Sequence, residues 1–157
     1  MTAEPWRRPG VIEHSQCLLD SYARLLGHEL LPRDGPPEEQ SRRLYDAPFV
    51  VLSHGVEADP ILNFGNAAAL ALWEADLPTF TSMPSRLTAE APRREERARL
   101  LERVSRDGFI DDYSGIRISS TGKRFFIERA TVWNLFDRDG RPAGQAATFS
   151  EWRHLDA

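Results

Sequence analysis

Residues 59 to 74, DPILNFGNAAALALWE, pass from a strand pattern to a helix pattern with no loop between them. Pro60 to Phe64 reads as a short apolar strand, and from Asn66 to Trp73 the chain is rich in Ala and Leu. Only a tight corner at Gly65-Asn66 can join the two. Asn66 suits that corner as an N-cap, because its side-chain oxygen can accept from a backbone N–H two or three residues on. The small Ala67, Ala68, Ala69 and Ala71 allow the helix to lie close to a neighbour, while Leu70, Leu72 and Trp73 supply apolar bulk. A helix launched this abruptly from a strand has to pack back on the sheet it leaves, which predicts an α+β domain.

The segments on either side support that reading. VIEHSQCLLDSYARLLGHELLP repeats apolar pairs at Val11-Ile12, Leu18-Leu19, Leu25-Leu26 and Leu30-Leu31. That spacing draws one stripe along a helix of about five turns that Pro32 would close. The stripe can pack on its own domain, or Leu19, Tyr22 and Leu26 can form a seam for a second copy. RDGPP then breaks the chain, EEQSRRLYDA reads as a shorter helix, and FVVLSH is a buried-strand run. PRREERARLLERVSRDG, residues 92 to 108, is an amphipathic helix with Pro92 near its start and a thin apolar face of Ala98, Leu100, Leu101 and Val104. Its many arginines read as a solvated face, since the aromatics that interleave in nucleic-acid grooves are missing from it.

The last third is all β. Three strands are joined by SSTGKR and DRDGRP, and Asp139-Gly140 is a strong hairpin signal. The middle strand, Arg124 to Phe136, carries apolar and polar residues on both alternation sets, so both of its faces are expected to be covered or functional. The order strand, strand, helices, strand, strand, strand predicts a five-stranded antiparallel sheet flanked by helices. The domain reading is an N-terminal helical extension over residues 1–47 and a core over 48–154.

Several functions are set aside at this point. The net charge of −4 offers no basic field for nucleic acid. The single Cys17 excludes an internal disulfide and a cysteine-based zinc site. No apolar run reaches the roughly 18 residues of a membrane span, and the first ten residues lack a signal-peptide core, so a cytoplasmic protein is expected. His54, Glu57 and Asp59 in SHGVEADP raise the question of a metal, but a capped strand end and a solvated turn explain them as well, and no metal is expected. Asp111-Asp112 could be an acid–base pair, yet neighbouring strand residues point to opposite faces. An enzyme is not expected.

ILNFGNAAALALW resembles the strand–Asn–helix corner of PAS domains, and NLFDRDGRPAGQAATFSEW is similar to their last hairpin. SHGVEADPILNFGNAAALALWE, MPSRLTAE, GFIDDYSGIRISSTGKRF and IERATVWNLFD are similar, more narrowly, to the MEKHLA family of PAS-related domains. The resemblance covers about residues 12 to 152 and implies a sensory or interaction domain. Light-oxygen-voltage relatives of this fold place a reactive Cys beside a flavin, and haem-binding ones offer a His on the long helix before the last three strands. Cys17 lies in the N-terminal extension and residues 92 to 108 contain no His, so neither a cysteine-adduct flavin nor a helix-histidine haem is expected. The cofactor is otherwise unknown.

Alignment with the PAS pattern turns Glu128, Ala130, Val132 and Asn134 toward the helices, with Arg129, Thr131 and Trp133 opposite. A single bulge would reverse this. Two functions then stand open. One is a sensor binding a small molecule between sheet and helices, with His54, Asn66, Arg86, Tyr113, Arg117, Glu128 and Asn134 as pocket or network groups. The same polar residues could instead form an internal network, with Glu128 paired to Arg86 or Arg117. The other function is an interaction module, in which the sheet face around Arg129, Thr131, Trp133 and Gln145 docks a partner. In either case a homodimer is expected, through Leu19, Tyr22, Leu26 and Trp133.

Overall fold

In the computed structural model, residues 4–88 and 94–155 are described. Helix α1 (Pro9–Leu26) and helix α2 (Pro37–Asp46) come first, followed by strands β1 (Val50–His54) and β2 (Leu62–Gly65). Helices α3 (Ala67–Trp73), α4 (Leu77–Phe80) and α5 (Arg94–Asp107) lead into β3 (Phe109–Ile118), β4 (Arg124–Phe136), β5 (Pro142–Phe149) and β6 (Glu151–His154). Pro92, expected near the start of α5, lies outside the described residues. The sheet is antiparallel, ordered β2-β1-β5-β4-β3. Among the described residues it has six strands, one more than expected: β6 takes up pairing with the first half of β4 where β5 leaves off.

Two element boundaries teach something about local chemistry. α1 stops at Gly27, whose φ of 81° ends the helix in the left-handed conformation, well before Pro32. Leu30 and Leu31 therefore reach the core from a loop. At the strand-to-helix corner, Asn66 is fully buried and caps α3 as expected, its Oδ1 accepting from Ala69 N at 3.1 Å. The same oxygen also accepts from Val51 N at 3.0 Å, and Nδ2 donates to the Leu44 and Phe49 carbonyls at 3.0 and 2.9 Å. One amide thus joins α2, β1 and α3. Gly65 beside it has no room for a side chain, because a Cβ there would meet the Phe80 ring at 2.7 Å.

The sheet has helices on both faces. On the inner face, α3 and α4 bury Trp73 and Phe80 against Val50, Phe125, Ala130 and Phe149. Trp73 meets Phe125 edge to face at 5.0 Å, a favoured geometry for aromatic pairs. α5 covers the rest of that face through Leu100 and Val104, which pack on Ile110 and Val132. On the outer face, α1 lays Leu18, Leu19 and Tyr22 on Val51, Trp133, Leu135 and Ala146. Tyr22 and Trp133 are both buried, with their rings 5.0 Å apart. The expected interface at Leu19, Tyr22 and Trp133 is corrected by this packing. The apolar stripe of α1 is consumed inside its own chain, and Leu26 is half-buried against the same cluster. The docking face expected around Arg129, Thr131, Trp133 and Gln145 is not one surface: Trp133 lies under α1, Gln145 faces the other side of the sheet, and Arg129 is exposed and paired with Glu151.

Candidate functional site

Register shifts in the sheet decide which side chains face inward. β3 and β4 pair with Ile110 opposite Val132, Tyr113 opposite Ala130 and Gly115 opposite Ile127. Three residues of β3 answer two of β4, and then three of β4 answer two of β3. The first shift passes over Asp111 and Asp112, which are exposed, and turns Tyr113 and Arg117 inward together with Ile110. The second falls at Glu128 and Arg129. Arg129 adopts the left-handed φ of 51°, which costs a non-glycine residue on the order of 1–3 kcal/mol. The inward set on β4 is therefore Phe125 and Ile127 before the shift, then Ala130, Val132 and Asn134 after it. Glu128 is displaced to the other face, half-buried and opposite Glu151.

Between this inner face and α5 lies a cavity of about 60 Å³. Its apolar lining includes Leu62, Trp73, Leu100, Ile127, Ala130 and Val132. Its polar lining comprises Ser53, His54, Ser85, Thr88, Arg97, Tyr113, Arg117 and Gln145. His54 stands at the end of β1, where β5 approaches so closely that Gly144 opposite could carry no Cβ without striking the His54 carbonyl. Gly144 also has a φ of 127°, open only to glycine.

The electrostatics of the lining are unusual. Arg97 and Arg117 are both buried, at 8% exposure each, and among the described residues neither forms an ion pair with a carboxylate. Arg97 Nη2 donates to Ser85 Oγ. Arg117 Nη1 donates to the Ile116 carbonyl at 3.0 Å, and its guanidinium lies 5.0 Å from the centre of the Tyr113 ring. Burial, and then the charge of Arg117, pull the Arg97 guanidinium down to about 10. His54 is buried too, and burial lowers its pKa, so at neutral pH its ring is uncharged. Its Nδ1 faces the Gly55 carbonyl at 3.1 Å. A carbonyl only accepts, so Nδ1 carries the proton and Nε2 presents a lone pair. That Nε2 is buried, with no hydrogen-bond partner among the described residues.

Of the residues singled out in the sequence, His54, Tyr113 and Arg117 line the cavity. Asn134 lies beside it, joining the sheet to α5 by donating to the Val104 carbonyl at 2.9 Å and accepting from Gln145 Nε2 at 3.0 Å. The other three lie elsewhere. Asn66 is fully used in the corner, Arg86 is exposed and pairs with Asp59 at 3.1 Å, and Glu128 has been turned away. The expected pairing of Glu128 with Arg86 or Arg117 is not what fills their bonds. The sequence reading missed Ser53, Ser85 and Thr88, put Gln145 on the docking face, and assigned the one further charged lining residue, Arg97, to a solvated face. Its spacing held the signal: 97, 100, 101 and 104 make one helical stripe, and Arg97 stands at its head. Cys17 sits on α1, on the far side of the sheet from the cavity, with Sγ donating to the Phe136 carbonyl at 3.2 Å.

A curved antiparallel sheet with small helices and one longer helix over a central cavity is the PAS architecture, and solved structures agree. A PAS domain from Colwellia psychrerythraea superposes with a TM-score of 0.61 at 10% identity, covering 75% of this chain and 95% of that one. A fungal light-oxygen-voltage photoreceptor domain gives 0.57 at 13% identity, covering 94% and 98%. At these identities the likeness is one of fold. Within this class the chain belongs to the MEKHLA domain family, whose model matches residues 12–154. It is similar to the homeobox-leucine zipper protein REVOLUTA of Arabidopsis thaliana, 25% identical over 130 residues, and to HOX10 of Oryza sativa, 24% identical over 133. The matched region is 82–84% of this chain but only 15–16% of those proteins, so the likeness is to one domain of each.

Proposed function

We propose that this chain is a PAS-type sensory domain that binds a small molecule in the cavity between α5 and the sheet, and that it acts by binding rather than by catalysis. The observation that carries this reading is the lining itself: a largely apolar space into which buried polar groups converge with hydrogen-bonding capacity to spare. Pockets that recognise small ligands have this composition, whereas a structural core would have filled the space or satisfied the groups. Occupancy would be felt by α5, which reaches the sheet through side-chain hydrogen bonds from Asn134 and Gln145 and through a thin apolar stripe. Pairing with a second copy, as part of signalling, would have to use surfaces other than Leu19, Tyr22 and Trp133.

The test pairs the wild type with Ala147→Leu, which adds methyl groups to the cavity wall. Freshly purified wild type should carry a reproducible extra mass under native mass spectrometry that is lost on denaturation. It should also show shifts of the Leu62, Leu100, Ile127 and Val132 methyl resonances when a metabolite extract is added. Ala147→Leu should show neither while keeping its melting temperature. A bare mass and unmoved cavity methyls in the wild type would overturn the reading.

A further inference from the structure

Arg97 and Arg117 are an unbalanced pair. Together they present ten N–H donors, yet the described residues supply Ser85 Oγ to one and a backbone carbonyl to the other. Two like charges removed from water raise each other's cost unless an anion lies near them. The rest of the wall limits what that anion can be. Leu62, Leu100, Ile127 and Val132 offer only hydrocarbon, and Trp73 beside them adds a single N–H, so an ion with oxygen on every side, such as phosphate, would leave acceptors unsatisfied against them. A guanidinium fork fits a planar carboxylate edge to edge. The volume is small: about 60 Å³ holds roughly four to six waters, which suits a ligand with a short carbon chain. Two further lining groups are without partners among the described residues: the Trp73 N–H, which can donate to a ligand oxygen, and the lone pair on His54 Nε2, which needs a hydroxyl or N–H donor.

We infer that the cavity binds a short-chain hydroxy monocarboxylate, its carboxylate between Arg97 and Arg117, its hydroxyl donating to His54 Nε2 and its carbon chain on the apolar wall. This rests on the pocket reading above and narrows it to one class of ligand. Three features of the wall correspond to three parts of the ligand, and each can be removed separately. Arg97→Met and Arg117→Met keep the length and packing of the side chain while deleting its charge. His54→Phe keeps a ring and deletes the acceptor.

The experiment is a methyl-resonance titration of the full chain with 2-hydroxybutyrate, 3-hydroxybutyrate, butyrate, 3-hydroxybutyramide and inorganic phosphate, each to about 10 mM, the range of very weak binding. At least one hydroxybutyrate should bind tighter than the neutral amide by roughly tenfold or more, the contribution of a charge-assisted pair. It should also bind severalfold tighter than butyrate. Either methionine variant should abolish the preference for acid over amide. In His54→Phe the hydroxybutyrate should bind no better than butyrate. The melting temperature of ligand-free Arg97→Met should hold or rise, because a buried charge repelled by Arg117 has gone; a melting temperature that holds shows that lost binding is not lost folding. If the amide binds as well as the acid, the carboxylate assignment falls and the pocket stands. Tighter binding of phosphate would assign the arginines to a different anion. If none of the five moves the cavity methyls, the inference is overturned, and the extract titration of wild type against Ala147→Leu decides separately whether the pocket takes any ligand.

Discussion

His14 shows how a single side chain couples the helix layer to the strand beneath the cavity. It sits on α1 with Nε2 2.8 Å from Ser53 Oγ, and the Ser53 hydroxyl donates onward to Asn63 Oδ1 at 2.5 Å. Ser53 has only one proton to give, so His14 Nε2 is the donor in the first contact. Burial lowers the His14 pKa to about 4 from its ordinary 6.5. A depressed folded-state pKa means that the unfolded chain takes up the proton first. The stability involved is complete above pH 6.5 and is lost progressively as pH falls toward 4. Its full size is on the order of 3 kcal/mol. Urea unfolding of wild type and His14→Gln, which keeps a donor near Ser53, checks this. Between pH 6.5 and 5 the wild type should lose stability more steeply than the variant, and equal slopes would show that His14 is protonated as readily in the fold as outside it.

At the scale of elements, the two faces of β4 do different work. One carries Ala130 and Val132 to the cavity, and the other carries Trp133 and Leu135 under α1. That second role yields a sharp expectation for Leu19, which is fully buried on the outer face. Leu19→Ala should cost about 3 kcal/mol through the cavity it leaves, and Leu19→Asp more, since it buries a carboxylate with no partner. The signature is a lowered urea midpoint for both, with Leu19→Asp unfolded or nearly so. A Leu19→Asp protein that melts like the wild type and differs only in elution volume would mean that α1 packs on a second copy instead. The element boundaries were legible wherever a local rule set them. Asn66 as a cap, Asp139-Gly140 as a turn and the span of β4 from Arg124 to Phe136 all stand as the sequence reads them. The end of α1 was misread, because Gly27 in the left-handed conformation stops a helix more decisively than a proline five residues later. β6 was not anticipated as a separate strand, since FSEW reads as the end of β5.

For the molecule as a whole, the sheet separates a permanently packed side from a side with space in it. α1 is bonded to the sheet at several points, among them Ser21 Oγ accepting from Phe136 N at 3.0 Å. α5 buries only Arg97, Leu100 and Val104. An element with so few apolar anchors opens locally at lower free energy than the core. Amide hydrogen exchange should therefore run faster in α5 than in α1 or the centre of β4, and a bound ligand should slow α5 selectively. Protection spread evenly over both helices would contradict the view that the cavity side is the responsive one.

Fold class, the strand-to-helix corner and part of the inner polar set, His54, Tyr113 and Arg117, could be read from residue order, because caps, turns and apolar periodicity act over a few residues and leave their pattern in the chain. Three things were decided only in three dimensions. The paired register shifts at Asp111-Asp112 and Glu128-Arg129 chose Ile127 over Glu128 for the cavity, and strand alternation carries no record of a bulge until the partner strand is in place. The apolar stripe of α1 fits its own sheet as well as it fits a second helix, and only packing selects between them. Arg97 looks like any other arginine on a charged helix until the fold buries it near Arg117 with no carboxylate paired to either among the described residues, for the cost of a buried charge depends on what surrounds it and not on its neighbours in sequence.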